Sequence, residues 1–211
     1  MRVKVCGVTL PDDAARVATA GVDFIGLNFW PKSKRHLSVD RGAMLASIVR
    51  STSTAKIVGV FVNADLDEIQ SICARVDLDV LQLHGDESPD FVKRVSLAVF
   101  RPVWKALAIG SARDLENLDR WPAEALLLDA PTPGRGGAGA RFDWNLARAA
   151  RERYPKLSFV LAGGLDPENV GGAIELVKPW AVDVASGVEA APGIKDPDKL
   201  AAFIGASRLA G

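Results

Sequence analysis

The chain has 211 residues, 48% apolar and 25% charged, with 26 basic against 26 acidic side chains, so it can build one substantial core and carries no net charge. That balance excludes a nonspecific field for nucleic acid or an anionic membrane, and no apolar stretch reaches the ~18 residues of a membrane helix. No secretory leader is expected before "LPDD", and the two cysteines, Cys6 and Cys73, stand far apart without metal-ligand neighbours, as free thiols of a reducing compartment such as the cytoplasm.

In chain order, the first expected strand is "RVKVC", which stops at Cys6 and leads to a helix over 12–20. Lys4 and Cys6 share one face of that strand, because strand side chains repeat every second residue. An ammonium close by favours a thiolate, although a cysteine among valines also reads as a small apolar residue. The second strand, "FIGLNF", ends near Asn28 and runs into "WPKSKRHLS". There Trp30, Lys32, Lys34, Arg35 and His36 form either a solvated basic loop or a mouth in which the planar fork of Arg35 takes a carboxylate. A helix over 40–50 and the strand "KIVGVFV" follow, then a helix over 65–75 capped by Asp65 and carrying Cys73 on the exterior. The strand "LDVLQLH" puts Gln82 and His84 on a common face, as substrate contacts or as structural hydrogen-bonders. A helix over 88–95, the strand "AVFRPVWK" closed by Lys105, and a helix over 111–119 come next.

The sixth strand, "ALLLDA", ends at Asp129. A carboxyl beside that much apolar surface has its neutral form favoured, which suits a general acid; a cap or ion-pair partner is the plainer reading. Gly134, Gly136, Gly137 and Gly139 follow, in a segment 131–141 that reads either as a lid or as a solvated loop. A helix over 143–153 leads to the strand "SFVLAG", to Gly163 and Gly164, and to Asp166 and Pro167 at the start of a helix over 167–177. The last strand, "AVDVAS", contains Asp183 and leads into Ser186 and Gly187 before a helix over 196–207. Glycine turns at two successive strand ends can bind a phosphate through backbone N–H groups; singly, they would be tight turns.

Eight strand–helix units of about 26 residues each predict an α/β fold: one (β/α)8 TIM barrel of parallel strands filling 1–211 as a single domain. An open doubly wound sheet competes, but no G-x-G-x-x-G follows the first strand. Barrel sites lie at the C-terminal ends of strands. The positions to inspect are therefore Cys6, Asn28, Asn63, Gln82 with His84, Lys105, Asp129, Gly163 with Gly164, and Asp183 with Ser186. Cys6 and Asp129 would face one basin, with Gln82, His84 and Asp183 as substrate contacts. Two histidines without clustered ligands suggest no metal site, no cofactor fingerprint is present, and no nucleophile elbow supports a serine hydrolase.

"KVCGVT", "GVFVN", "QLHGDE", "LLLDA" with "GGAGARFDW", "LAGGLDPENV" and "VDVASGVEAAPGIKD" occur in that order. Through them the whole chain resembles the phosphoribosylanthranilate isomerase family of tryptophan biosynthesis. The resemblance implies a cofactor-free Amadori rearrangement of N-(5-phosphoribosyl)anthranilate to 1-(2-carboxyphenylamino)-1-deoxyribulose 5-phosphate. It implies Cys6 as general base and Asp129 as general acid. It puts Arg35 near the anthranilate carboxylate and the phosphate at Gly163, Gly164, Ser186 and Gly187. The expected partner is a small phosphorylated molecule, and the expected state a monomer or homodimer. Ser33-Lys34-Arg35 departs from the family's usual Ser-Pro-Arg, and Ala185 from its usual serine. Two alternatives stand beside this reading. One is the sugar-phosphate isomerase of histidine biosynthesis, which the resemblance associates with an aspartate pair, so that Cys6 counts against it. The other is a non-catalytic phosphometabolite-binding barrel, which fold alone leaves open.

Overall fold

A computed structural model describes residues 1–131 and 142–211. Eight parallel strands close into a barrel in chain order. They are β1 (Arg2–Cys6), β2 (Phe24–Asn28), β3 (Lys56–Phe61), β4 (Val80–Leu83), β5 (Val103–Ala108), β6 (Ala125–Asp129), β7 (Phe159–Leu161) and β8 (Ala181–Val184). The ring closes where β8 lies beside β1, with Lys4 opposite Asp183. The strands are buried on both faces, as parallel strands under helices must be, and for that reason they read as nearly continuous apolar runs. The helices between them are α1 (Pro11–Thr19), α2 (Val39–Thr52), α3 (Leu66–Arg75), α4 (Pro89–Val99), α5 (Trp144–Arg153), α6 (Val170–Val177) and α7 (Pro197–Leu209). No described helix is long and apolar enough to cross a membrane.

Helix starts follow local chemistry. Ser38, Asp65, Ser88, Asp143 and Asp196 each accept a backbone N–H from the first turn of the helix they precede, satisfying donors that have no intrahelical partner. Pro11, Pro89 and Pro197 occupy first-turn positions, where a missing N–H costs nothing.

Alternate strand residues divide the interior in two. Val3, Val5, Ile25, Leu27, Leu81, Leu126 and Leu128 pack outward under the helices. Phe24, Val58, Val80, Trp104, Ala106, Ala125, Leu127, Val160, Ala162 and Ala181 fill the barrel itself. At its N-terminal end, Phe24, Trp104 and Trp180 form an aromatic plug with centroids 4.8, 5.6 and 5.7 Å apart. Such ring pairs add about 0.5–1.5 kcal/mol each beyond their burial. The plug closes one end by packing, with Arg2 over Trp180 at its edge, and the buried polar inward residues Lys4, Gln82 and Asp129 lie beyond it.

Three expectations need correction, and one element is new. The helix expected over 111–119 is two short 3-10 turns, Ala112–Leu115 and Leu118–Arg120. Asn117 between them is left-handed with φ 55°, which breaks a continuous helix. The strand expected from "AVFRPVWK" begins only at Val103. Its first apolar residues finish α4, and Phe100 turns the chain at φ 51°. The helix expected from Pro167 starts at Val170, because Asp166 accepts the N–H groups of Glu168 and Asn169 in a preceding turn. Finally, a hairpin of β9 (Glu189–Ala191) and β10 (Ile194–Lys195) follows β8, turning at Gly193 with φ 85°. The sequence reading contained no such hairpin.

Candidate active site

Period-two alternation carries the inward face up from the aromatic plug to the C-terminal rim. On β1 the inward residues are Arg2, Lys4 and Cys6; on β4, Val80 and Gln82; on β6, Ala125, Leu127 and Asp129; on β8, Ala181 and Asp183. Cys6 and Asp129 are thus the last inward positions of their strands. Cys6 sits opposite Gly26. A Cβ on Gly26 would fall 2.7 Å from the Cys6 sulfur, so a side chain there would displace the thiol. Beneath Cys6, Lys4 is fully buried and its Nζ lies 2.8 Å from Asp183 Oδ1. Burial works against the Lys4 ammonium, but the Asp183 carboxylate and neighbouring Cys6 outweigh it and hold Lys4 above its ordinary value.

Asp129 is buried, and its Oδ1 accepts the Ala130 N–H at 2.8 Å. Its Oδ2 faces His84 Nε2 at 3.5 Å. His84 Nδ1 lies 2.8 Å from Gln82 Nε2. With that amide nitrogen donating, Nδ1 accepts and the ring proton stands on Nε2, toward Asp129. Gln82 Oε1 is buried with no partner among the described residues. His84 and Asp129 line one cavity of about 280 Å³.

Of the basic loop after β2, Lys32, Lys34 and His36 are exposed, whereas Arg35 turns inward. Its stem lies across Gly7, where φ is 74° and a Cβ would fall 2.2 Å from Arg35 Cδ. Its Nε and one terminal nitrogen donate to Glu189 at 2.8 and 2.6 Å. Lys195 joins the same carboxylate at 2.9 Å and donates to the Cys6 carbonyl at 2.7 Å.

Across the mouth are the two glycine turns. Gly163 and Gly164 are left-handed, at φ 85° and 69°. A Cβ on Gly163 would lie 2.9 Å from Asp129 Oδ1, so that turn rests on the carboxyl group. Ser186 and Gly187 open a 3-10 turn, and a Cβ on Gly187 would meet the Leu165 carbonyl at 2.0 Å. The turns after β7 and β8 are therefore in contact. Both turns bring glycine backbone to the same rim of the barrel.

Residues 3–206 match the family model described as N-(5'phosphoribosyl)anthranilate (PRA) isomerase. The chain belongs to the N-(5'-phosphoribosyl)anthranilate isomerase family. The isomerase of that name from Ralstonia nicotianae is 43% identical, the alignment covering 99% of this chain and 93% of the relative. The isomerase from Thermotoga maritima is 41% identical over 97% of each chain. A crystal structure of the Thermotoga maritima isomerase superposes with a TM-score of 0.89 at 39% identity, covering 99% of this chain and 98% of its own. Another solved phosphoribosyl anthranilate isomerase, in complex with reduced 1-(o-carboxyphenylamino)-1-deoxyribulose 5-phosphate, superposes at 0.86 with 37% identity over 99% of this chain and 98% of its own.

In this isomerase barrel Cys6, Gln82, His84, Asp129 and Asp183 gather at one end, with Arg35, Gly163, Gly164, Ser186 and Gly187 in loops around it. Asp183 is engaged by Lys4. Lys105 lines the same cavity as His84 and Asp129 but sits on the outward face of its strand. It is an odd-face residue of β5, and its buried ammonium donates outward to the Leu83, Gly85 and Ala106 carbonyls and to Glu87 at 3.0 Å. "VWK" is not the strand end; β5 continues to Ala108, which removes Lys105 from the rim. The glycine-rich segment read as a lid falls almost wholly on 132–141, outside the described residues. Glu189 and Lys195 were missed as site residues. Their signal was the short alternation "VEAAPGIKD" around a Pro-Gly turn, masked by its brevity.

Proposed function

We propose that Asp129 and Cys6 are the acid and base of the Amadori rearrangement that converts N-(5-phosphoribosyl)anthranilate to 1-(2-carboxyphenylamino)-1-deoxyribulose 5-phosphate in tryptophan biosynthesis. The observation that carries the reading is their placement: each is the last inward residue of its strand, on one mouth, between a cationic bracket and a glycine cradle. The substrate has an anion at either end, a carboxylate and a phosphate, and such a mouth suits both.

Asp129 gives its proton to the furanose ring oxygen, the C–O bond breaks, and the nitrogen lone pair forms the open-chain imine. Cys6 takes the C2 proton, and that electron pair moves toward C1 to give the enolamine. Protonation at C1 and loss of the C2 hydroxyl proton leave the ketone. Atoms and electrons balance within the substrate, and each step needs only proton transfer. Arg35 receives the anthranilate carboxylate, and Gly163, Gly164, Ser186 and Gly187 receive the phosphate. Gln82, His84 and Asp183 contact the substrate, Gln82 and His84 from beside the acid and Asp183 from its place against Lys4.

We take residues 1–211 to work as one catalytic domain, as a monomer or homodimer, because all these side chains come from one chain. Both cysteines are free, which supports a reducing, cytoplasmic setting. The deciding assay supplies purified protein with anthranilate, phosphoribosyl pyrophosphate and the preceding transferase, and follows the fluorescent intermediate. Its protein-dependent loss, with the ketose product formed, is expected. Persistence of the intermediate would overturn the reading.

The phosphate cradle makes a separate prediction. Inorganic phosphate or sulfate should compete with substrate and occupy the turns at Gly163, Gly164, Ser186 and Gly187 in soaked crystals. Clear anion density elsewhere and none there would remove the cradle from the site.

A further inference from the structure

Glu189 is the hub of a buried network that the proposed chemistry does not use directly. Its Oε1 accepts from Arg35 Nε at 2.8 Å, Lys195 Nζ at 2.9 Å and the Gly193 N–H at 3.2 Å; its Oε2 accepts from an Arg35 terminal nitrogen at 2.6 Å. The Arg35 bond is side-on, through Nε and Nη2, so the guanidinium plane is fixed. Its other terminal nitrogen, Nη1, meets no acceptor among the described residues. A guanidinium has a second donor edge between its two terminal nitrogens, and that edge is left for a ligand.

The charges agree with the geometry. One carboxylate stands between two cations, so the network carries one unit of positive charge in excess. Lys195 is buried, with its ammonium donating to the Cys6 carbonyl at 2.7 Å, the Ala185 carbonyl at 3.2 Å and Glu189 at 2.9 Å. Those bonds use all three of its donors. Lys195 therefore has no donor left for a ligand, and a direct hydrogen bond from this network to an anion falls to Arg35. The stem of Arg35 lies against Gly7, one residue beyond Cys6, so the side chain runs beside the end of the thiol strand.

We propose that Glu189 is a positioning residue which, braced by Lys195, holds Arg35 side-on so that its open edge selects a substrate carrying a carboxylate. The inference rests on the reading of Arg35 given above. The protonation states of the Arg35–Glu189 pair fit it, while burial holds Lys195 below its ordinary value against the pull of Glu189. The bond to Glu189, against burial, holds Arg35 above its ordinary value. Burial alone would raise Glu189, but Arg35 and Lys195 outweigh it and hold the carboxyl below its usual range.

The test compares two ligands, the reduced carboxyphenylamino-deoxyribulose phosphate and its phenyl counterpart lacking the carboxyl group. Affinities for both are measured on the wild type, Arg35→Ala, Glu189→Gln, Glu189→Asp and the double variant Arg35→Ala/Glu189→Gln. Glu189→Gln should weaken the carboxylated ligand on the order of 10-fold, the scale of one charge-assisted hydrogen bond. The phenyl ligand should be nearly unaffected, and the double variant should bind like Arg35→Ala alone. Equal losses on both ligands would make Glu189 merely structural, and retained discrimination would remove it from the site; either overturns the inference. If Arg35→Ala itself keeps full discrimination, the reading of Arg35 fails instead. Should Glu189→Gln not fold, Glu189→Asp decides. It keeps the charge but withdraws it by one methylene, so reduced discrimination is expected and unchanged discrimination would overturn the proposal.

Discussion

Asp129→Asn should lower kcat by on the order of 100-fold or more, the lower range for a positioned general acid, with KM and product affinity little changed. The substitution is close to isosteric. The introduced amide can still accept the Ala130 N–H through its oxygen, so the hydrogen bond that sets Asp129 Oδ1 at 2.8 Å survives. Gly163 can keep its close approach to that oxygen. What disappears is a transferable proton at the end of β6. Steady-state kinetics with binding of the reduced product analogue separate the two effects. A variant with near-wild-type turnover would remove Asp129 as the acid, and one that loses turnover and analogue binding together would make the carboxyl group a structural element.

Cys6→Ala should abolish turnover while leaving the fold and product binding in place, because the change removes one sulfur from the rim. Lys4 remains paired with Asp183, and the Cys6 carbonyl remains bonded to Lys195. In the wild type, a small alkylating reagent should inactivate by labelling Cys6, and the product analogue should protect it. Cys73 is the internal control. It lies half-buried on α3, where burial raises its thiol above the ordinary value against a smaller opposing effect of Arg101. Its slower labelling should leave activity intact. Mass mapping after partial alkylation reads the outcome. If activity loss follows Cys73, or if Cys6→Ala turns over normally, Cys6 is packing and another group is the base.

Much of this site was legible in the chain because strand periodicity is strict. "RVKVC" and "ALLLD" alternate between a helix-facing and a barrel-facing side, so placing the last residue of each run places its side chain. The same rule placed Gln82 beside His84. It failed at Lys105, where the run was cut too early: "VWK" is followed by "ALA", which is also strand, and the rim lies three residues further on. The start of the same run misled in the opposite direction, since Ala98, Val99 and Phe100 read as strand residues while their backbone was ending a helix.

Local patterns were enough for the barrel, the order of its units, and the placing of Cys6 and Asp129 at strand ends; the roles of base and acid came from the family resemblance. Period-two alternation, helix caps and glycines at strand ends all act over a few residues, so they can be read along the chain. The pairing of distant charges is of another kind and emerges only in three dimensions. Arg35 and Glu189 are separated by 154 positions, and Lys4 and Asp183 by 179. No local periodicity links such residues; ring closure between β8 and β1 brings the second pair together, and the hairpin of β9 and β10 folding beside Gly7 brings the first. A buried charge needs a partner, but which partner it finds depends on how the chain closes in space.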